Sequence, residues 1–520
     1  MSPQSSAALH SRSGDNAHKL GRFREALAAY RKSLECDPHQ PEVWYSAGCA
    51  ETSLKEFAAA AISFENAPQT SPDWPEAKHN LGRAYFELGR IEEAMALFRE
   101  AAGGSRPELP RTTIAVVVPE SPTSDNQTIL DERRAWAQQY LPAPRPRERF
   151  SDRTASSAGQ TLRIGYLSAF FEHDNWMKPV WGLINQHDRR HFEVHLFSDA
   201  PASGIKHGYR AHASDRFYDI SSLSNEAAAA LIETSGIDLL VDLNGYSTPS
   251  RLPLVALQPA PLIVGWFNMY ATSGMACCDY LIGDDDVIPP REERFYCEKI
   301  VRVPGSYLTF EVSYPVPPVV DPPCLETRAI TFGCLAPQHK INGAVIHAWC
   351  RILQEVPGSR LVLRNGVLDS PGNCRFVHGL YEKYNISPQR VLLRGRIDHY
   401  RFLQTYEEID VALDTFPYNG GTTTTEAIWQ GVPVVTFVGD RWASRTSASL
   451  LRAGNLGRFV TGSMENYVSL AIRLGNSVET PEFLADLRRN MRSRLLGSPV
   501  CDTRSFARNM ERLYRQMMPR

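Results

Sequence analysis

A short phrase recurs three times in the first hundred residues, and the interval between its copies leaves that part of the chain few ways to fold. Leu20-Gly21-Arg22-Phe23-Arg24-Glu25-Ala26 returns as Leu54-Lys55-Glu56-Phe57-Ala58-Ala59-Ala60 and again as Leu88-Gly89-Arg90-Ile91-Glu92-Glu93-Ala94, 34 residues apart each time. Gly14, Gly48 and Gly82 keep the same interval, as do Tyr30, Phe64 and Phe98, and Pro38 and Pro72. A unit this short cannot bury its own apolar face and has to stack on copies of itself. The spacing predicts helix pairs in which small residues let the two helices of a pair approach closely. The aromatics are expected to fill the gap between neighbouring pairs. Three units are about the fewest that bury a continuous core, so the array is expected to lean on the domain that follows.

A 34-residue unit of paired helices is the tetratricopeptide signature, and residues 8–106 are assigned to three such repeats. Residues 107–160 are interrupted by Pro107, Pro110, Pro119, Pro122, Pro142, Pro144 and Pro146 around a short charged helix, Ile129 to Tyr140, and read as a connector. From Leu162 the pattern becomes short, β-rich apolar runs separated by helical or polar stretches, as in an open, largely parallel sheet. The first series is Leu162–Leu167, Phe192–Phe197, Ile237–Leu243, Leu262–Phe267 and Tyr280–Ile282. The second is Ala329–Phe332, Leu361–Leu363, Val391–Leu393, Ile409–Leu413 and Val434–Val438, with a proline-rich interval from Pro304 to Pro323 between them. The fold class expected is therefore α plus α/β: a helical solenoid, then Rossmann-like domains at 161–323 and 324–480, then an arginine-rich C-terminal helix at 481–520.

The stretch with the most chemistry is Leu413 to Arg445. An apolar strand breaks at Pro417-Tyr418-Asn419-Gly420-Gly421, and Thr422 to Thr425 open a helix that contains Glu426 and is stopped by Gly431-Val432-Pro433. A glycine turn feeding hydroxyl residues at a helix N-terminus leaves backbone N–H groups free at the positive end of the helix dipole, which suits a phosphate. The plain alternative is an αβ loop with a threonine-rich cap. Ligands of open parallel sheets bind outside the carboxyl ends of the strands, where this loop falls.

Charge and cysteine usage remove several function classes. The formal net charge is −2, so nothing points to nucleic acid or an anionic membrane surface. No apolar run is long enough for a membrane span, and Met1–Asp15 lacks the profile of a signal peptide. The ten cysteines are scattered with no CxxC pair, so no zinc or redox motif is expected and no metal site is assigned. Reduced thiols and the absence of a leader predict a cytoplasmic protein.

Three stretches together resemble the catalytic region of the protein O-GlcNAc transferase and SPINDLY family: LRIGYLSAFFEH (Leu162–His173), Ile237–Asp284 with DLNGY, QPAP and ATSG, and Phe332–Arg445 with HKI and TFPYNGGTTTTEAIWQGVPVVT. Tetratricopeptide repeats ahead of such a region are that family's domain order. The resemblance implies a GT-B fold and an inverting, metal-independent transfer of a sugar from a nucleotide donor to Ser or Thr of a protein. UDP-GlcNAc is the donor it points to first, consumed as a substrate with no further cofactor. The repeats are then expected to present a protein or peptide acceptor.

The resemblance carries roles onto matching residues. Gly420, Gly421, Thr422 and Thr423 match the diphosphate-binding turn. Glu426 stands where the family has an acidic residue for the ribose hydroxyls, or else acts as a capping-box partner of Thr422 or Thr423. Lys340 matches the catalytic lysine that neutralises the leaving diphosphate. His173 matches a histidine that serves as general base or positions the acceptor hydroxyl, or it is a surface histidine. Thr272, Ser273 and Gly274 resemble the loop under the donor, and Ser444 and Arg445 are candidates for the nucleotide side. Arg216, Gly421, Ala336-Pro337 and His399 depart from the commonest family pattern at donor-side and base positions. His187, Arg189, Arg190 and His191 read as a solvated basic turn, and Asp284-Asp285-Asp286 as a loop rather than a metal site. Two alternatives to GlcNAc transfer stay open: fucosyl transfer from GDP-fucose, and a repeat adaptor whose transferase domain is inactive.

Overall fold

Seven parallel strands account for the first apolar series. In a computed structural model that describes residues 3–67, 74–143 and 161–518, these are β1 (Leu162–Ser168), β2 (Phe192–Ser198), β3 (Arg216–Asp219), β4 (Leu239–Asp242), β5 (Leu262–Gly265), β6 (Tyr280–Gly283) and β7 (Lys299–Arg302). They run in the order β3-β2-β1-β4-β5-β6-β7, and every pairing is parallel. The five inner strands are those expected. The two edge strands escape sequence reading because their burial is partial and their residues polar: Arg216 and Asp219 are exposed on β3, and Lys299 on β7. The order turns back at β1 and β4, so the loops leaving these strands diverge and open a crevice at their carboxyl ends. Asn244, just past β4, accepts a hydrogen bond from the Ala169 amide just past β1 (2.8 Å) and ties the two loops together.

This sheet lies in one of two compact units into which the chain divides, the one made of Ser124–Pro322, Pro417–Tyr467 and Pro481–Arg520. The other unit joins Met1–Thr123 to Pro323–Phe416 and Val468–Thr480. Within it β8 (Thr331–Cys334), β9 (Arg360–Arg364), β10 (Val391–Arg394) and β11 (Val411–Leu413) form a parallel set in the order β10-β9-β8-β11. Here the reversal falls between β8 and β11. At the amino ends of these two strands Asp410 accepts from the amides of Cys324 (2.9 Å) and Thr331 (2.8 Å). The last two strands, β12 (Val434–Phe437) and β13 (Val460–Thr461), pair in parallel within the unit that holds β1 to β7. The fold is thus a set of N-terminal helical repeats followed by two parallel-sheet, Rossmann-like domains.

The repeats form the helix pairs Pro3–Lys19 with Phe23–Cys36, Pro41–Ser53 with Phe57–Asn66, and Pro75–Glu87 with Ile91–Ala101. The glycines serve the close approach within a pair, as expected, but the aromatics sit inside their own pair, against the glycine. Each glycine seats the aromatic of its own pair: a Cβ on Gly14 would stand 2.5 Å from the Tyr30 ring, one on Gly48 2.6 Å from Phe64, and one on Gly82 2.7 Å from Phe98. The turns between paired helices also repeat. Gly21 and Gly89 hold φ of +71° and +83°, and Lys55 takes the same left-handed position at +59°. The array leans on the β8–β11 domain through Asn373, which is fully buried. Its side chain accepts from the Ala58 amide (2.9 Å) and donates to the carbonyls of Lys55 and Val367 (both 2.8 Å).

Pro72, Pro144, Pro146 and the 144–160 part of the connector lie outside the described residues. The rest of the connector forms two helices, Glu108–Val117 and Asn126–Tyr140. The arginine-rich tail is likewise two helices, Thr480–Leu496 and Thr503–Met517, because Gly497 and Pro499 stop the first. The basic cluster after the helix Lys178–Ile184 is not a solvated turn. His187 is buried between the Tyr166 hydroxyl (2.7 Å) and Glu511 (3.1 Å), and Arg189 forms a two-pronged pair with Asp215 (2.7 and 2.9 Å). Arg190 and His191 are the exposed members of the cluster. Asp284 is a buried loop anchor. It accepts from Ser449 (2.6 Å) and the Tyr307 amide (2.8 Å), and burial pushes its carboxyl up to about 6.

Candidate active site

The helix Thr422–Trp429 starts where the glycine turn predicts, with Gly421 as its N-cap. Gly421 needs no special backbone angle (φ −125°), and a Cβ there would meet only Thr446 at 3.6 Å. The four threonines divide by burial. Thr424 and Thr425 are buried, and their hydroxyls are committed, to Ser447 Oγ (2.7 Å) and the Thr422 carbonyl (2.8 Å). Thr422 and Thr423 are the two that remain partly exposed, on the first turn of the helix. Ser447 also donates to the Gly420 carbonyl (2.9 Å), which fixes the glycine turn against the following helix. Glu426 is 2% exposed and accepts from Asn175 Nδ2 (3.1 Å).

A second charged group near Glu426 gives no sequence signal of its own. Lys178 is 2% exposed, donates to the Asn175 carbonyl (2.7 Å), and has its ammonium 5.9 Å from the centre of the Phe310 ring. Burial pulls its pKa down to about 8, against the opposing field of Glu426. A lysine within KPVWGLI reads as a helix-start surface residue, and only the fold shows that it is enclosed.

His173 lies in the loop that leaves β1 at the crevice. Its backbone carbonyl accepts from the amides of Trp176 (3.0 Å) and Met177 (2.9 Å), and its exposed imidazole sits beside Phe170 and Trp176. Thr272, Ser273 and Gly274 follow β5 at the same end of the sheet. The Thr272 and Ser273 hydroxyls, however, turn inward to the buried carboxylate of Glu298, Thr272 at 2.7 Å. Glu298 also takes the Ser273 amide (2.5 Å). From the other side Arg133, fully enclosed, donates to the Thr272 carbonyl (2.8 Å) and stacks over the Tyr246 ring at 3.8 Å. Gly274 has φ +71°, and a Cβ there would run into the Arg133 backbone at 2.5 Å. These two hydroxyls therefore shape the loop. Arg133, Glu298 and Tyr246, its supports, carry no motif that would reveal them.

Ser444 and Arg445 are also spoken for. The Ser444 hydroxyl closes its own turn by donating to the Arg441 carbonyl (2.8 Å). Arg445 is 3% exposed and grips Glu292 with both terminal nitrogens (2.7 and 2.8 Å), while its Nε donates to the Gly439 carbonyl (2.9 Å).

Lys340, in the other unit, ends the short 3-10 turn Gln338–Lys340 that follows β8 at the reversal of that sheet. It is partly exposed. Packing lowers its pKa, and the nearby Glu120 and Asp414 carboxylates oppose the shift. Asn342 holds the turn: its Oδ1 caps the helix Gly343–Glu355 through the Ala344 and Val345 amides, and its Nδ2 donates to the Phe416 carbonyl (2.7 Å) past β11. Among the described residues no group of three or more His, Cys, Asp or Glu could hold a metal ion, and no helix is long and apolar enough to cross a membrane.

The geometry of two parallel sheets, each with candidate residues at its carboxyl end, agrees with what known proteins share with this chain. A solved structure of a mutant of the Thermobaculum terrenum O-GlcNAc transferase superposes with a TM-score of 0.80 at 28% identity, covering 99% of this chain and 98% of that one. The probable UDP-N-acetylglucosamine–peptide N-acetylglucosaminyltransferase SPINDLY of Oryza sativa subsp. japonica is 33% identical over 70% of this chain and 39% of its own length. The UDP-N-acetylglucosamine–peptide N-acetylglucosaminyltransferase of Caenorhabditis elegans is 24% identical over 71% of this chain and 42% of its own. The chain thus spans about two fifths of the length of these two relatives. Tetratricopeptide models match residues 12–75 and 76–105. The model of glycosyl transferase family 41 matches residues 144–314 and 323–510, most of the chain, and the protein belongs to that family of glycosyltransferases.

Proposed function

We propose that this protein moves GlcNAc from UDP-GlcNAc to Ser or Thr hydroxyls of protein acceptors, with inversion and without a metal ion. The observation that carries the reading is the start of the helix Thr422–Trp429. Two partly exposed threonines and the first-turn amides lie one turn ahead of the buried carboxylate of Glu426. A diphosphate on the amides and hydroxyls would find the positive end of the helix dipole, and Glu426 would take the ribose hydroxyls. The acceptor oxygen attacks the anomeric carbon as the bond to the diphosphate oxygen breaks, and the hydroxyl proton passes to a base, for which His173 is the candidate. Lys340 supplies positive charge to the departing diphosphate, the group on which charge builds in the transition state. The names of the relatives support this donor and acceptor class, and the repeats suit an extended protein acceptor. The protein is expected to act in the cytoplasm.

A donor panel of UDP-GlcNAc and GDP-fucose with lysate protein as acceptor, read by intact mass, tests the reading. A hexosamine increment supports it. A deoxyhexose increment replaces it with fucosyl transfer, which the similarity to SPINDLY proteins favours as the second reading; no increment leaves an adaptor. Lys340→Ala should lose turnover by about a hundredfold or more while UDP affinity measured by calorimetry changes little. Wild-type turnover in that variant removes Lys340 from the mechanism.

A further inference from the structure

The turn that carries Lys340 rests on the repeat array. His339, the residue before the lysine, is fixed on two sides. Its ring stacks on Phe86 of the third repeat, with centroids 4.8 Å apart and planes at 23°. Its Nδ1 lies 2.7 Å from the Glu120 carboxylate. Gly89, in the hairpin of the same repeat at φ +83°, lies so close beneath the turn that a Cβ there would collide with the carbonyl oxygen of Ile341 and crowd that of Gln338. From the far side Asn365 Nδ2 donates to Gln338 Oε1 (3.2 Å).

Glu120 faces two basic side chains. It sits on the turn Val118–Glu120, directly after the helix Glu108–Val117, and is mostly enclosed. Besides His339 it faces the Lys340 ammonium, which Asp414 and the Cys334 thiol also influence. A carboxylate on the helical side of the unit therefore helps keep the ammonium charged in a site where packing works against it.

We propose that Phe86, Glu120 and His339 are positioning residues for Lys340, so that the third repeat and the turn after it form part of the catalytic lobe as well as a platform for acceptors. The inference rests on the role given to Lys340 above. None of the three needs to touch substrate: Phe86 and Glu120 hold the imidazole, the imidazole holds the turn, and Glu120 helps keep the amine charged.

Competitive acetylation of Lys340, followed in its own peptide by mass spectrometry from about pH 7 to about pH 11, reads the amine without any substrate. In Glu120→Gln the labelling midpoint should fall below that of the parent. With labelled UDP-GlcNAc and GDP-fucose as donors, kcat should fall about tenfold in Glu120→Gln and in Phe86→Leu, with UDP and GDP dissociation constants within about twofold of the parent. Phe86→Tyr keeps the stacked ring and should recover the rate. An unchanged midpoint in Glu120→Gln overturns the inference. Lys340→Ala separates the two readings. Full turnover there removes the lysine from the mechanism, whereas an inactive Lys340→Ala beside a fully active Glu120→Gln removes only the positioning.

Discussion

The buried pair of Arg445 and Glu292 decides whether Arg445 serves the fold or the nucleotide. The arginine is 3% exposed and the glutamate side chain 10%, and both terminal nitrogens meet both carboxylate oxygens at 2.7 and 2.8 Å. Two further donors reach the carbonyls of Gly439 and Val287. Asn126 adds a bond to the same carboxylate (3.2 Å). Removing one partner of such a pair strands the other charge away from water, and the usual penalty is about 3–5 kcal/mol. Removing both together leaves no charge behind, and an apolar pair of similar volume is often neutral or better. Urea titrations followed by tryptophan fluorescence on Arg445→Met, Glu292→Leu and the double variant should therefore be strongly non-additive. Each single change is expected to lower stability by about 3–5 kcal/mol, and the double to lie within about 2 kcal/mol of the parent. UDP affinity, measured by calorimetry at a temperature where Arg445→Met is still folded, should be unchanged. An Arg445→Met protein with parental stability and lost UDP binding would refute the argument and return Arg445 to the nucleotide site.

Two further outcomes follow from single positions. Lys178 has its pKa pulled from the ordinary 10.5 to about 8 by burial, so below pH 8 the fold carries a charged ammonium that it disfavours. Between about pH 8 and 10.5 the unfolded chain holds a proton that the folded one has released, so stability rises with pH, by about 3 kcal/mol in full. Lys178→Met should flatten that rise when urea midpoints are compared at about pH 7 and about pH 10, and identical pH profiles would argue against an enclosed ammonium. Lys55 occupies at φ +59° the turn position that is glycine in the other two repeats. Lys55→Gly should relieve left-handed strain and raise stability by about 0.5–1 kcal/mol in thermal or urea unfolding, and a loss of stability would contradict the strain.

What the sequence could disclose followed from local periodicity. The 34-residue interval marks the repeats, the inner strands are apolar enough to be seen, and a glycine turn followed by threonines marks the helix at Thr422. What it could not disclose depends on partners far along the chain. His187 looks like a solvated histidine beside Arg189 and Arg190, and is buried because Glu511, 324 residues away, meets it. Thr272 and Ser273 look ready for a ligand until Glu298 and Arg133 are placed around them. β3 and β7 lie at sheet edges, where exposure removes the apolar signature that identifies a strand. Motif similarity names positions in the chain, but whether a hydroxyl or a guanidinium is free to act depends on what the rest of the fold has already claimed.

The seat of the Lys340 turn on Gly89 and Phe86, with Asn373 pinning the second repeat, gives the array a direction of growth. Its third unit is in fixed register with the chemistry and its first is not. A repeat spliced in ahead of the helix Pro3–Lys19 would lengthen the array without disturbing this seat. The same repeat inserted between the third unit and the helix Glu108–Val117 would carry Phe86 away from His339. Engineering of acceptor reach in this scaffold should therefore add and remove units at the N-terminal end alone.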